Sequence, residues 1–297
     1  MKIFFSFLIA AIFCTGNSKA QDTRIARAQN LACGCLDSLK SLPFKQRADS
    51  CLSKSGAQAL SEGMKSGTKV PTTVEGMRSF LTSVQKEVYS SCPTYRQGYN
   101  EEQMKVYEAL SANPEAKKLY SNGGNLMEAQ KWDEAIAAYE KAVKLDPKFA
   151  YAYDNIAICY RKKQDYKTAI KYYQKSLEVF PAGNLALQNL AAVYSYDNNN
   201  TEALNQYNKL KYLYPQDAEG YFGAGKLQAI AANYEVALDD IFTAHLLYAK
   251  NNSAYVKDSQ QLVAYVYTKM KANNQEDAFM KKAKQYNINI NTSGTNK

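Results

Sequence analysis

Four alanines stand 34 residues apart, at Ala135, Ala169, Ala203 and Ala237, and three prolines keep the same step at Pro147, Pro181 and Pro215. The stretch around the second alanine reads DYKTAIKYYQKSLEVFPAGN, from Asp165 to Asn184. Its apolar residues Tyr166, Ala169, Ile170, Tyr173, Leu177 and Phe180 recur three and four apart. That stripe is what one face of a helix buries, and Pro181 closes the run as an ordinary helix stop. One period upstream the chain reads KWDEAIAAYEKAVKLDPKFA, and one period downstream NNTEALNQYNKLKYLYPQDA. A further step gives NYEVALDDIFTAHLLYAKNN. The amphipathic segment is one copy of a repeat.

The residues before each copy keep the same register. Leu119, Tyr153, Leu187 and Tyr221 share one position, Gly123, Ala157, Ala191 and Gly225 a second, and Leu126, Tyr160, Tyr194 and Gln228 a third. This pattern resembles the tetratricopeptide repeat, a helix–turn–helix unit of this length with small residues at these positions and a terminal proline. The resemblance covers 116–251 as four units, at 116–149, 150–183, 184–217 and 218–251. It implies an all-α fold, an α-solenoid in which helix–turn–helix repeats build a right-handed superhelix. Departures are local: Asn122 and Asn200 replace large apolar residues, and Ala249 stands where the fourth unit should carry its proline.

The recurrent alanine lets the second helix of a unit lie close against the first, and the Gly/Ala position does the same from the other side. Trp132, Tyr139, Tyr166, Tyr173, Tyr207 and Tyr234 are expected to fill the gaps between units. No single pair buries its apolar face alone, so stacking makes the core continuous. Residues 252–286 read as a degenerate repeat or C-terminal helical cap, with helices over 254–272 and 275–286, and 287–297 as a flexible tail.

Two segments of different character precede the repeats. Residues 1–20 have a basic start at Lys2, an apolar run from Ile3 to Phe13 and a small-residue exit at Ala20. This is the anatomy of a cleaved secretory signal, too short to span a bilayer. Cys14 would be a lipidation site, but Phe13 stands before it where a small side chain is expected. Cleavage removes Lys2 and Lys19 and lowers the formal net charge from +9 to +7. That excess is spread along the chain without a compact basic cluster, which speaks against nucleic acid as a partner.

Residues 21–113 then read as a small disulfide-bonded helical domain carrying Cys33, Cys35, Cys51 and Cys92. Helices are expected near 22–41, 44–62, 73–91 and 100–111, with breaks at Leu42-Pro43, SGTKVP and Cys92-Pro93. In an exported chain four cysteines point to two disulfides. Cys33 and Cys35 lie two apart on a helix and face different sides, which disfavours a bond between them. Cys33–Cys51 with Cys35–Cys92, and Cys33–Cys92 with Cys35–Cys51, both remain open. Cys159 is expected to be a buried, free thiol.

Little in the sequence speaks for catalysis. His245 is the one histidine, so a two-histidine metal site is out of reach and any triad would have to use it. GYFGAGK, from Gly220 to Lys226, falls inside a repeat helix, where Gly225 is the small packing position. No cofactor, metal, enzymatic activity or transmembrane span is expected.

Tetratricopeptide arrays present their first helices on a concave surface, and the resemblance places partner-binding candidates there: Tyr120, Met127, Asp154, Asn155, Ile158, Arg161 and Lys162, then Gln188, Asn189, Tyr196, Phe222 and Lys226. Tyr120, Gly124 and Leu185 occupy positions where a clamp for chaperone tails would need cationic or amide groups, so that mode is not expected. The reading is an exported, periplasmic adaptor that binds a protein or peptide partner and serves assembly or regulation of a cell-envelope complex. Outer-membrane association, secretion and oligomeric state stay open. The alternatives are a structural, self-associating envelope protein and a thiol-redox protein using Cys33 and Cys35.

Overall fold

The computed structural model describes residues 23–39, 42–66, 70–107 and 111–288. Residues 1–22, on which the expected secretory signal and Cys14 fall, and the residues beyond 288 lie outside them. Among the described residues the chain is helical throughout, with no strand, and it divides into two compact units, 1–102 and 103–297.

The first unit contains α1 (Thr23–Ser38), α2 (Phe44–Lys65), α3 (Val74–Ser91) and the beginning of α4 (Pro93–Tyr107). Ala28, Ala32 and Leu36 stand four apart on α1 and meet Cys51 and Ala59 of α2 and Phe80, Val84 and Val88 of α3. Thr73 caps α3 by accepting the Gly76 amide at 3.0 Å, which satisfies one of the unpaired donors of the first turn. The fourth helix begins at Pro93, not near residue 100. Proline at the first helical position gives up no intrahelical hydrogen bond, so Cys92-Pro93 starts a helix where the sequence suggested only a break. One bridge, Cys35–Cys51, ties α1 to α2. Cys33 and Cys92, expected to take part in a second bridge, are unbridged thiols in this structure and share a hydrogen bond.

The second unit is built from helical hairpins: α5 (Pro114–Glu128) with α6 (Trp132–Leu145), α7 (Ala150–Lys162) with α8 (Tyr166–Val179), and α9 (Asn184–Tyr196) with α10 (Asn200–Leu213). α11 (Ala218–Ile230) pairs with α12 (Tyr234–Lys250), and α13 (Val256–Ala272) with α14 (Glu276–Gln285). Each helix packs on the next in sequence, and α7 also touches α9. Ala135, Ala169, Ala203 and Ala237 are all fully buried. At the facing position a side-chain carbon on Gly123 would come within 2.6 Å of the Tyr139 ring, and one on Gly225 within 2.7 Å of Ile241. In the first and fourth hairpins the approach is close enough to need glycine, whereas the second and third carry the buried Ala157 and Ala191 there.

The turn inside each hairpin repeats as faithfully as the alanines. Gln130, Gln164, Asn198 and Ala232 all have positive φ, from 57° to 63°. After each, the next amide reaches back five residues: Lys131 to the Leu126 carbonyl at 2.8 Å, Asp165 to Tyr160 at 2.9 Å, Asn199 to Tyr194 at 2.8 Å and Asn233 to Gln228 at 2.9 Å. This is the Schellman closure, whose left-handed residue is usually glycine. A side-chain carbon is strained there, so Ala232→Gly is expected to stabilise the chain by about 0.5–1 kcal/mol. Urea unfolding checks this; a loss of stability would contradict the turn assignment.

Proline explains the lengths of the second helices. α6, α8 and α10 each run 14 residues and stop before Pro147, Pro181 and Pro215, because a residue preceding proline is pushed out of the helical region. α12 meets Ala249 at that position and runs 17 residues. The longer helix carries the fifth hairpin out of step: α13 starts at Val256, 38 residues after Ala218 opens α11. Phe279 and Ala283 of α14 then close the core on Phe242, Val266 and Met270.

Polar ties also recur about one repeat apart in sequence. Asn155 donates to the Tyr120 hydroxyl at 2.9 Å across 35 residues, Tyr172 to Glu140 at 2.8 Å across 32, and Asn184 to Asp217 at 2.8 Å across 33. Lys211 pairs with Asp240 at 2.7 Å, both mostly screened from solvent. These bonds fix the register between neighbouring hairpins while apolar packing supplies most of the stability.

Candidate functional site

The first helices α5, α7, α9 and α11 carry every candidate groove residue, and the structure sorts them into three groups. Tyr196, Lys162 and Lys226 are exposed; Tyr196 retains 58% of its surface and stacks on Tyr166, the ring centroids 5.7 Å apart. These offer an aromatic face and two cations to a partner.

A second group is half-buried and committed within the array. The Tyr120 ring packs against Tyr139 and Phe149, and Met127 Sδ receives the Tyr139 hydroxyl at 3.2 Å. Asn155 and Asn189 match in the repeat register but differ in partner: Asn155 donates to Tyr120, whereas Asn189 turns back to the Leu185 carbonyl at 3.0 Å. Gln188 reaches Asn184 at 2.8 Å. Ile158 packs into the core shared by α7, α8 and α9, and Phe222 sits edge-on to Tyr248.

Asp154 and Arg161 form the third group. Asp154 is fully buried. Its Oδ2 accepts the Tyr107 hydroxyl, while Oδ1 has no hydrogen-bonding partner. Burial pushes its pKa up to about 8, offset in part by the adjacent Ser176 hydroxyl, because an ionised carboxylate loses its hydration in such a site. The Tyr173 hydroxyl and Arg161 Nε nearby are likewise buried without partners, and burial raises the Tyr173 pKa well above the usual tyrosine range. Tyr107 was not legible as part of this site. It lies outside the repeat register, on the last turn of α4, 47 residues from Asp154.

The cysteines and the histidine settle into structural surroundings. With Cys35 bonded to Cys51, Cys33 and Cys35 do not form a dithiol pair. The Cys33 thiol instead donates to Cys92, which lowers the Cys92 pKa to about 7 and raises that of Cys33. Cys159 is a buried thiol in the core of the first two hairpins, its pKa pushed up to about 11 by burial. His245 Nδ1 lies 2.9 Å from Ser259 Oγ, which itself donates to the Val256 carbonyl at 2.7 Å. The ring therefore donates through Nδ1–H, pinning α12 to α13. Among the described residues there is no group of three or more His, Cys, Asp or Glu placed to hold a metal, and no helix long and apolar enough to cross a membrane.

The tetratricopeptide-repeat family model matches residues 114–182 and again 148–216. The matched segments are α5 to α10, and this part of the chain is a tetratricopeptide-repeat array. Among solved structures the chain is similar to MamA (residues 41 to end) from Desulfovibrio magneticus RS-1, at 14% identity over 59% of this chain and 95% of that one, with a TM-score of 0.48. It is also similar to YrrB, described as a TPR protein with an unusual peptide-binding site, at 18% identity over 62% of this chain and 97% of that one, with a TM-score of 0.38. No curated protein matches the chain.

Proposed function

We propose that the chain is exported and works in the periplasm as a non-enzymatic adaptor, holding a protein or peptide partner along the first helices of its repeats while a cell-envelope complex is assembled or regulated. The repeat array supports a role in protein–protein interaction, and the exposure of Tyr196, Lys162 and Lys226 on its first helices is the observation that supports putting the partner there. A polar and aromatic surface of this kind suits a protein ligand. The leader-like N-terminus and the Cys35–Cys51 bridge favour an oxidising compartment.

In such a compartment Cys33 and Cys92 are expected to join as a second bridge by exchange with a disulfide-donating oxidant, both thiol protons and two electrons passing to it. Purification from source-cell envelopes tests both halves. The mature protein is expected to show a single titratable thiol, Cys159, after denaturation, and to bring partners that Tyr196→Ala loses. Free Cys33 and Cys92, together with an unchanged set of partners, would contradict the proposal.

A further inference from the structure

Tyr107 does not belong to any repeat, yet it fills a pocket on the array. Its ring stacks on Phe180 with centroids 4.8 Å apart at 27°, and meets the edge of Tyr151 at 5.0 Å and 69°. Its hydroxyl caps Asp154. Without this ring, two aromatic residues would flank a buried carboxyl group that burial keeps protonated near neutral pH. The site suits an organic cation: the rings offer negative faces, and the carboxyl releases its proton to water and becomes the counter-charge as the cation enters.

Among the described residues Asp154 forms no ion pair, and its hydrogen bond comes from the neutral Tyr107 hydroxyl. Asp154 Oδ1 is buried and unpartnered, and Ser176 beside it is neutral. Arg161 lies seven residues, about two helical turns, further along α7. A buried carboxyl group with an open oxygen is costly to keep, and the Tyr107 hydroxyl satisfies half of it.

We infer that Tyr151, Phe180 and Asp154 form a subsite for a lysine or arginine side chain of the partner, and that Tyr107 is its built-in occupant, displaced when the partner binds. The inference deepens the adaptor reading and rests on it for the partner. Displacing Tyr107 lowers the apparent affinity by the fraction of molecules in which the pocket is free. The chain thereby discriminates against ligands without a basic side chain, which cannot satisfy Asp154.

Methylguanidinium and n-butylammonium, the side-chain ends of arginine and lysine, are the probes, with n-butanol as the neutral control. Binding is followed by NMR on the full mature chain and on Tyr107→Ala, Tyr107→Phe and Tyr107→Ala/Asp154→Asn. Tyr107→Ala is expected to bind either cation about tenfold more tightly than wild type, and Asp154→Asn to abolish the gain. Tyr107→Phe keeps the ring and lacks the hydroxyl, so a smaller gain is expected; it decides the matter if the alanine variant does not fold. No gain in the folded variants, equal binding of n-butanol, or a gain that survives Asp154→Asn would overturn the inference. The fragments report on the subsite alone, whereas loss of partners on Tyr196→Ala reports on the groove, so either reading can fail without the other.

Discussion

Asp154→Asn is expected to stabilise the chain at pH 8 and to leave it nearly unchanged at pH 4. In the unfolded chain an aspartate titrates near 3.9, whereas burial raises Asp154 to about 8 in the folded one. Below about pH 4 both states hold the proton, and the native state has its full stability. Between about pH 4 and 8 the unfolded chain binds fewer protons, so wild-type stability falls with rising pH at up to about 1.4 kcal/mol per unit. Asparagine keeps an acceptor for Tyr107 and cannot ionise, which removes this slope. A gain on the order of 2–5 kcal/mol at pH 8 is expected, read from urea midpoints of both proteins across the range. All other titrating groups are common to the two chains and cancel in the difference. Parallel pH profiles would show that the carboxylate is ionised and solvated in the native state.

Phe279→Ala should cost about 3–5 kcal/mol, the usual loss for a buried phenylalanine whose cavity cannot collapse. Phe279 is fully buried and meets Phe242 at 5.5 Å and Tyr267 at 5.1 Å, both edge-on. The ion pair of Lys282 with Asp239 at 2.8 Å lies at the same junction, but it is partly exposed and contributes little. In an array stabilised by neighbour contacts the damage is expected to start at the end, with α13 and α14 fraying before the rest. Hydrogen exchange can localise it. A change below about 1 kcal/mol would mean that α14 is an appendage and not the cap of the core.

The features repeated in the sequence were the ones that could be read from it. The alanine stripe, the Gly/Ala approach and the proline stops each recur, and every recurrence is a packing requirement met again by the next hairpin. Ala249 announced a departure from the pattern, and the consequence was physical: a second helix three residues longer and a fifth hairpin out of step. What could not be read depends on contacts between segments that share no register. Tyr107 reaches Asp154 from outside the repeats, so a residue that looked like an open groove position is a covered one. Asn155 and Asn189 are equivalent in sequence, but only the first has a tyrosine opposite. Cysteine pairing had the same limit: spacing disfavoured Cys33–Cys35, and only the packing of α1 on α2 selected Cys51 for Cys35.

The adaptor reading claims that partners are held on the first helices and not on the second. Photo-crosslinking in source cells puts that claim to a direct test, with a light-activated residue placed singly at Tyr196, Lys162 and Lys226 on the first helices and at the exposed Lys141 and Lys175 on α6 and α8. The first three positions are expected to capture a common protein partner, and the last two are not. Capture from Lys141 and Lys175 alone, or the same products from all five positions, would contradict it.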